Sequence, residues 1–124
     1  MRFLSDDWLL AASRLVESME PVDSPDVVIE QRVVDADSTA LVYCVKLTGG
    51  RASLTMGATS SPAVVISESW ATAVAVFRGE RPALDAVLTG DIAVTGDVMS
   101  LSGVGAAFAA VGAALDALRA DTTF

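Results

Sequence analysis

The sequence contains no histidine, no asparagine, a single cysteine and only seven aromatic residues among 124. Without histidine there is no Ser-His-Asp or Cys-His nucleophile system and no His-ligated zinc or iron. Any acid–base chemistry would fall to carboxylates, Tyr43 or Lys46. Cys44 stands alone, so no internal disulfide forms, which suits a reducing cytoplasm. Basic residues are also scarce. Eight Lys and Arg face 16 Asp and Glu, a formal net charge of −8, and Arg78 and Arg81 are the closest basic pair. Such a chain repels phosphate backbones and anionic lipid surfaces, which excludes nucleic acid as the partner.

A secretory signal is not expected either, because "MRFLSDDW" puts acids where its apolar core would lie. Val98 to Leu115 carries no charge over 18 positions. That run is mostly Ala, Gly and Ser, has no flanking Lys, and is bracketed by Asp97 and Asp116, so stable membrane insertion is not expected.

What is present is 52% hydrophobic residues, mostly aliphatic, in a length that fits one domain over residues 1–124. Residues 4–20 read as a first helix. Ser5 is its N-cap, Asp6 and Asp7 fill the first turn, and Leu4 and Leu9 are placed for a hydrophobic staple. Trp8, Ala12, Leu15 and Met19 make its apolar stripe. After the Pro-rich linker "EPVDSP", the runs "DVVIEQRVV", "TALVYCVKL" and "RASLTMG" read as a three-stranded antiparallel meander. The second run is apolar on both faces, as a central strand would be. "AVVIS" is a fourth strand, and Ser67 would cap a helix with Trp70, Val74 and Phe77 on one face. Pro82 opens a short helix carrying Leu84, Val87 and Leu88, which Gly90 stops. "DIAVT" is a fifth strand. A final helix over residues 98–119 has a seam of Leu101, Val104, Phe108, Val111, Leu115 and Leu118. The pattern predicts an α+β fold: a five-stranded, mostly antiparallel sheet covered by helices, in the order α-βββ-β-αα-β-α.

Two Thr-Gly-Asp triplets in "AVLTGDIAVTGDVMSLSGVG" invite a catalytic reading. Asp91 and Asp97 bracket a five-residue strand, which puts them about 20 Å apart, too far to share a substrate atom. Asp97 reads as the N-cap of the last helix. "GVGAAF" lacks the third glycine of a dinucleotide fingerprint and the following strand that would complete the unit. Tyr43 and Lys46 point to opposite faces of their strand. The acids cluster in turns and caps, so no base for an isomerase or cyclase stands out. No enzyme, cofactor or metal site is implied. Sparse large side chains among Ala and Gly leave two structural outcomes, an ordinary filled core or an apolar cavity.

Residues 63–101, "AVVISESWATAVAVFRGERPALDAVLTGDIAVTGDVMSL", resemble the C-terminal half of the sterol carrier protein type 2-like family. The matching positions are Val64 to Ser67, Gly79, Pro82, Gly90, Ile92, Val94, Gly96, Asp97, Met99 and Leu101. The opening "FLSDDW" resembles the "FLSDEW" start of small bacterial members. The resemblance implies a five-stranded sheet covered by helices around a hydrophobic tunnel, with no catalytic residues. It implies non-enzymatic, soluble binding or transport of a lipid-like small molecule such as a fatty acid or sterol. The tunnel-wall positions it implies are Trp70, Val74, Phe77, Leu84, Leu88, Val94, Leu101, Phe108 and Val111. The basic residues that the family often carries around its fifth strand are Asp91, Ala93 and Thr95 here, which favours a neutral headgroup over acyl-CoA. The alternative is an interaction module, in which the Gly/Ala-rich last helix packs against a second subunit as a homodimer and the cavity is filled.

Overall fold

A computed structural model describes residues 1–124. Helix α1 spans Asp6–Glu17, and Ser5 caps it by accepting from the backbone N–H of Trp8. Leu4 and Leu9 are both buried beside Trp8, Ala12 and Val16, so the apolar stripe faces inward. Strands β1 (Val27–Val34), β2 (Ala40–Thr48) and β3 (Arg51–Met56) form the antiparallel meander. Strand β4 (Val64–Ser69) then lies parallel to β1, and β5 (Ile92–Gly96) antiparallel to β4. The sheet order is β3-β2-β1-β4-β5. Between β4 and β5 the chain makes α2 (Trp70–Phe77) and α3 (Ala83–Leu88), and after β5 it makes α4 (Gly105–Leu115).

Strand β2 is an interior strand between β3 and β1, as its two apolar faces predict, and β1 holds the middle of the sheet because β4 adds to its free edge. Strand β2 is apolar on its second face for a local reason. The chain after β3 folds back over it, and the thiol of Cys44 donates to the carbonyl of Gly57 at 3.3 Å. Under the same segment Glu30 is 2% exposed, accepting from the Thr59 N–H and pairing with Arg32 at 2.7 Å.

Three expectations are corrected. The cap of α2 is Ser69, which accepts from the N–H of Thr72, so β4 runs two residues past Ser67. The last helix is not continuous from residue 98 to 119. A 3₁₀ turn at Val98–Leu101 is separated from α4 by Gly103 at φ +85°, and Asp116–Asp121 tightens into 3₁₀ geometry. Asp97 makes no side-chain cap; its carbonyl accepts from Ser100 instead. The apolar seam survives the break: Val104, Val111 and Leu118 are buried and face the sheet.

Strand alternation places Gln31 and Val33, Tyr43 and Val45, Leu54, Ile66 and Glu68, Ile92 and Val94 on one face, in register across the five strands. The helices cover this face. At one end Val27, Ile29, Leu47 and Val64 pack against Val104 and Ala107. At the other end Phe3 is stacked on Phe77 at 4.9 Å and meets Trp8 edge-on at 5.1 Å. Such pairs each add about 0.5–1.5 kcal/mol beyond burial. Arg2 bridges Thr123, so the two chain ends lie side by side over this aromatic cluster.

Candidate functional site

Between the two packed ends the helices and the sheet do not close completely. A cavity of about 460 Å³ lies there. Its floor is the helix-facing side of the sheet, from Val33 and Val45 to Ile66 and Val94. Its roof comprises Trp8 of α1, Ala73, Val76 and Phe77 of α2, Ala83 and Val87 of α3, and Phe108, Val111 and Leu115 of α4. The gap has a cause in the sequence. Ala73, buried on α2, presents only a methyl group to this space, and Ala83 and Gly112 leave its rim open.

The exposed members of the lining mark the mouth: Ala83 and Val87 on one side, Gly112, Asp116 and Arg119 on the other. Arg119 is held there by Asp116 at 2.7 Å and by donation from its Nε to the Phe77 carbonyl at 3.0 Å. Its guanidinium also lies 5.9 Å from the Phe77 ring centroid.

The polar side chains within the lining are Gln31, Tyr43, Glu68, Asp116 and Arg119. Gln31 and Tyr43 are cross-strand partners, and Glu68 lies opposite Val33 and Ile92. One carboxylate oxygen of Glu68, Oε2, is buried with no hydrogen-bond partner. Burial pushes its pKa up from 4.5 to about 6. Burial, reinforced by the charge of Glu68, raises the Tyr43 hydroxyl well above its usual range and keeps it protonated. The wall therefore carries a carboxylate that accepts a hydrogen bond when ionised and donates one when protonated, beside a neutral phenol.

Of the positions expected on the tunnel wall, Phe77, Val94, Phe108 and Val111 meet around this cavity. Trp70 instead packs against Phe3 at 5.4 Å with Arg2 over its ring, and Val74 packs into the same aromatic end. Leu101 joins the Val27–Ile29 end. Leu84 and Leu88 point to solvent, 67% and 75% exposed. Helix α3 has only six residues, too few turns for periodicity to choose a face; its buried residue is Ala86, while Ala83 and Val87 line the exposed rim of the cavity. The expectation that no acid points into the fold fails at Glu68. Ending β4 at Ser67 puts Glu68 in the first turn of a helix; the strand in fact continues to Ser69. The alternation Val64, Ile66, Glu68 is the signal that places it.

Asp91, at the end of β5 away from Asp97, accepts from Arg81 and Thr89 at 2.8 and 3.0 Å. These bonds hold its carboxyl below the usual range. The two Thr-Gly-Asp aspartates thus serve the ends of a strand, and neither lines the cavity. No helix is long and apolar enough to cross a membrane.

No family model and no curated protein matches the sequence. The fold, by contrast, is that of sterol carrier protein 2. A crystal structure of sterol carrier protein 2 superposes with a TM-score of 0.74 at 16% identity, covering 93% of this chain and 98% of that one. Sterol carrier protein 2 from Yarrowia lipolytica, in its apo form, gives a TM-score of 0.65 at 14% identity, over 82% of this chain and 92% of that one. The Aedes aegypti sterol carrier protein 2 in complex with palmitate gives 0.59 at 16% identity, over 89% and 98%.

Proposed function

We propose that residues 1–124 act as one lipid-binding domain, which takes up a lipid or similar hydrophobic small molecule in an internal apolar tunnel and performs no catalysis on it. The observation that carries this reading is the apolar cavity of about 460 Å³ between sheet and helices. Its size falls in the range of small-molecule sites, about 300–1,000 Å³. Within the proposed tunnel, Phe77, Val94, Phe108 and Val111 are the ligand-contacting residues, joined by Ile66 and Val87. Burying about 300 Å² of apolar ligand surface is worth about 7 kcal/mol before the costs of association are subtracted. The likeness of the fold to a palmitate-bound neighbour supports the same reading. Transfer between membranes by a cytoplasmic carrier is the role that fits such a cavity.

A titration of delipidated protein with fluorescent fatty acid and sterol analogues, followed by displacement with the unlabelled lipids, tests this. Saturable, displaceable uptake is expected. Protein that takes up neither analogue overturns the reading.

A further inference from the structure

The polar groups of the cavity are not equivalent. Asp116 and Arg119 satisfy each other at the mouth. Glu68 lies on the floor between Val33 and Ile92, its strand neighbours on either side, and its Oε2 is buried without a partner. A buried polar atom left unpaired carries its full desolvation penalty, so a ligand that supplies a donor at that point gains more than one that does not.

We propose that Glu68 selects the headgroup of the ligand: it accepts a hydrogen bond from the hydroxyl of a long-chain or polycyclic alcohol and turns away ionised carboxylates. This rests on the lipid-binding reading above and names the ligand class that the same cavity prefers. An alcohol places its O–H against Oε2 and its hydrocarbon against Ile66, Val94 and Phe108. A carboxylate in the same place sets a second negative charge beside the first in a low-dielectric wall. The cation that could offset it, Arg119, is already engaged by Asp116 and the Phe77 carbonyl.

The selection is pH-dependent. The titratable and charged groups lining the cavity around Glu68 are Tyr43, which stays neutral, and the Asp116–Arg119 pair; α1, α2 and α3 contribute only uncharged residues to the lining. Glu68 itself, pushed up to about 6, is protonated in mildly acidic solution and then donates to a carboxylate instead of repelling it.

The test compares hexadecanol with palmitate on the delipidated chain and on Glu68→Gln. At about pH 8 the unaltered chain is expected to bind hexadecanol about tenfold more tightly than palmitate, and the preference is expected to shrink at about pH 5. Glu68→Gln keeps the shape of the side chain, removes the charge, and is expected to bind palmitate at about pH 8 nearly as well as hexadecanol. The pH response of the unaltered chain is a separate readout that does not depend on the variant folding. Equal affinity for both lipids at both pH values, or a preference that persists in Glu68→Gln, overturns the headgroup assignment and leaves the lipid-binding reading standing. Uptake of neither lipid overturns both.

Discussion

The indole Nε1 of Trp8 donates to Oγ1 of Thr122 at 3.0 Å, a bond that joins residues 114 positions apart. Trp8 is 2% exposed and Thr122 is 9% exposed, so neither group has water as a substitute. Thr122→Val leaves the indole N–H buried and unpaired and is expected to cost about 1–3 kcal/mol in denaturant unfolding. Trp8→Phe together with Thr122→Val is expected to cost less than the sum of the two single changes, because the orphaned donor is gone. Strict additivity in the double-mutant cycle would show that the bond is not what couples the two ends of the chain.

Gly96 ends β5 at φ +100°, and a Cβ there would lie 2.5 Å from the carbonyl oxygen of Ala63, the residue just before β4. That oxygen already accepts from the Asp97 N–H at 2.8 Å, so it cannot move aside without losing a bond. Gly96→Ala combines a left-handed backbone penalty with a backbone clash and is expected to destabilise by at least about 2 kcal/mol. Gly57→Ala is the control. Its φ of +88° is similar, but nothing lies within 4 Å of the added carbon, so it pays the conformational penalty alone. Equal melting temperatures for the two variants would contradict the clash.

These two positions show what the sequence makes legible and what it does not. Period-two alternation in β1 to β5 and the seam from Val104 to Leu118 specify the layers, since each puts a whole row of apolar side chains on one side. The cavity is harder to read, because it is defined by side chains that are too small to fill it. Ala73 and Ala83 line it, while the larger Trp70, Leu84 and Leu88 point elsewhere. Periodicity weights large residues: in α2 it finds Phe77 but passes over Ala73, and in α3 it chooses Leu84 and Leu88, which point to solvent. Glu68 is hidden by reading Ser67 as the helix cap; the strand runs on to Ser69, which caps α2 through the Thr72 N–H.

Glu68 makes stability fall as pH rises. Its folded pKa of about 6 exceeds the ordinary 4.5, so the native state holds the proton more tightly than the unfolded chain. The stabilisation is complete below about pH 4.5, declines through the window from there to about 6, and is absent above it. A shift of this size corresponds to about 2 kcal/mol for a fully buried group, and to about 1 kcal/mol here because the carboxyl keeps some solvent contact. Glu68→Gln is expected to remove this component from the pH profile of urea unfolding and to be more stable than the unaltered chain by about 1 kcal/mol at neutral pH. A profile with the same slope in both proteins would assign the titration to another group.

Val94 and Leu88 separate cavity-lining from merely apolar positions. Val94 stands on the floor opposite Ile66, whereas Leu88 is 75% exposed on α3. Val94→Trp drives an indole into the space proposed for the ligand. It is expected to weaken lipid uptake by about tenfold or more while lowering stability by no more than about 1–3 kcal/mol, the usual cost of an overfilled interior. Leu88→Ser removes exposed apolar area and is expected to change unfolding by less than about 0.5 kcal/mol and leave affinity unaltered. Parallel titrations with one fluorescent lipid decide the matter. Uptake that survives Val94→Trp and is lost in Leu88→Ser would move the binding surface from the interior to the outer face of α3.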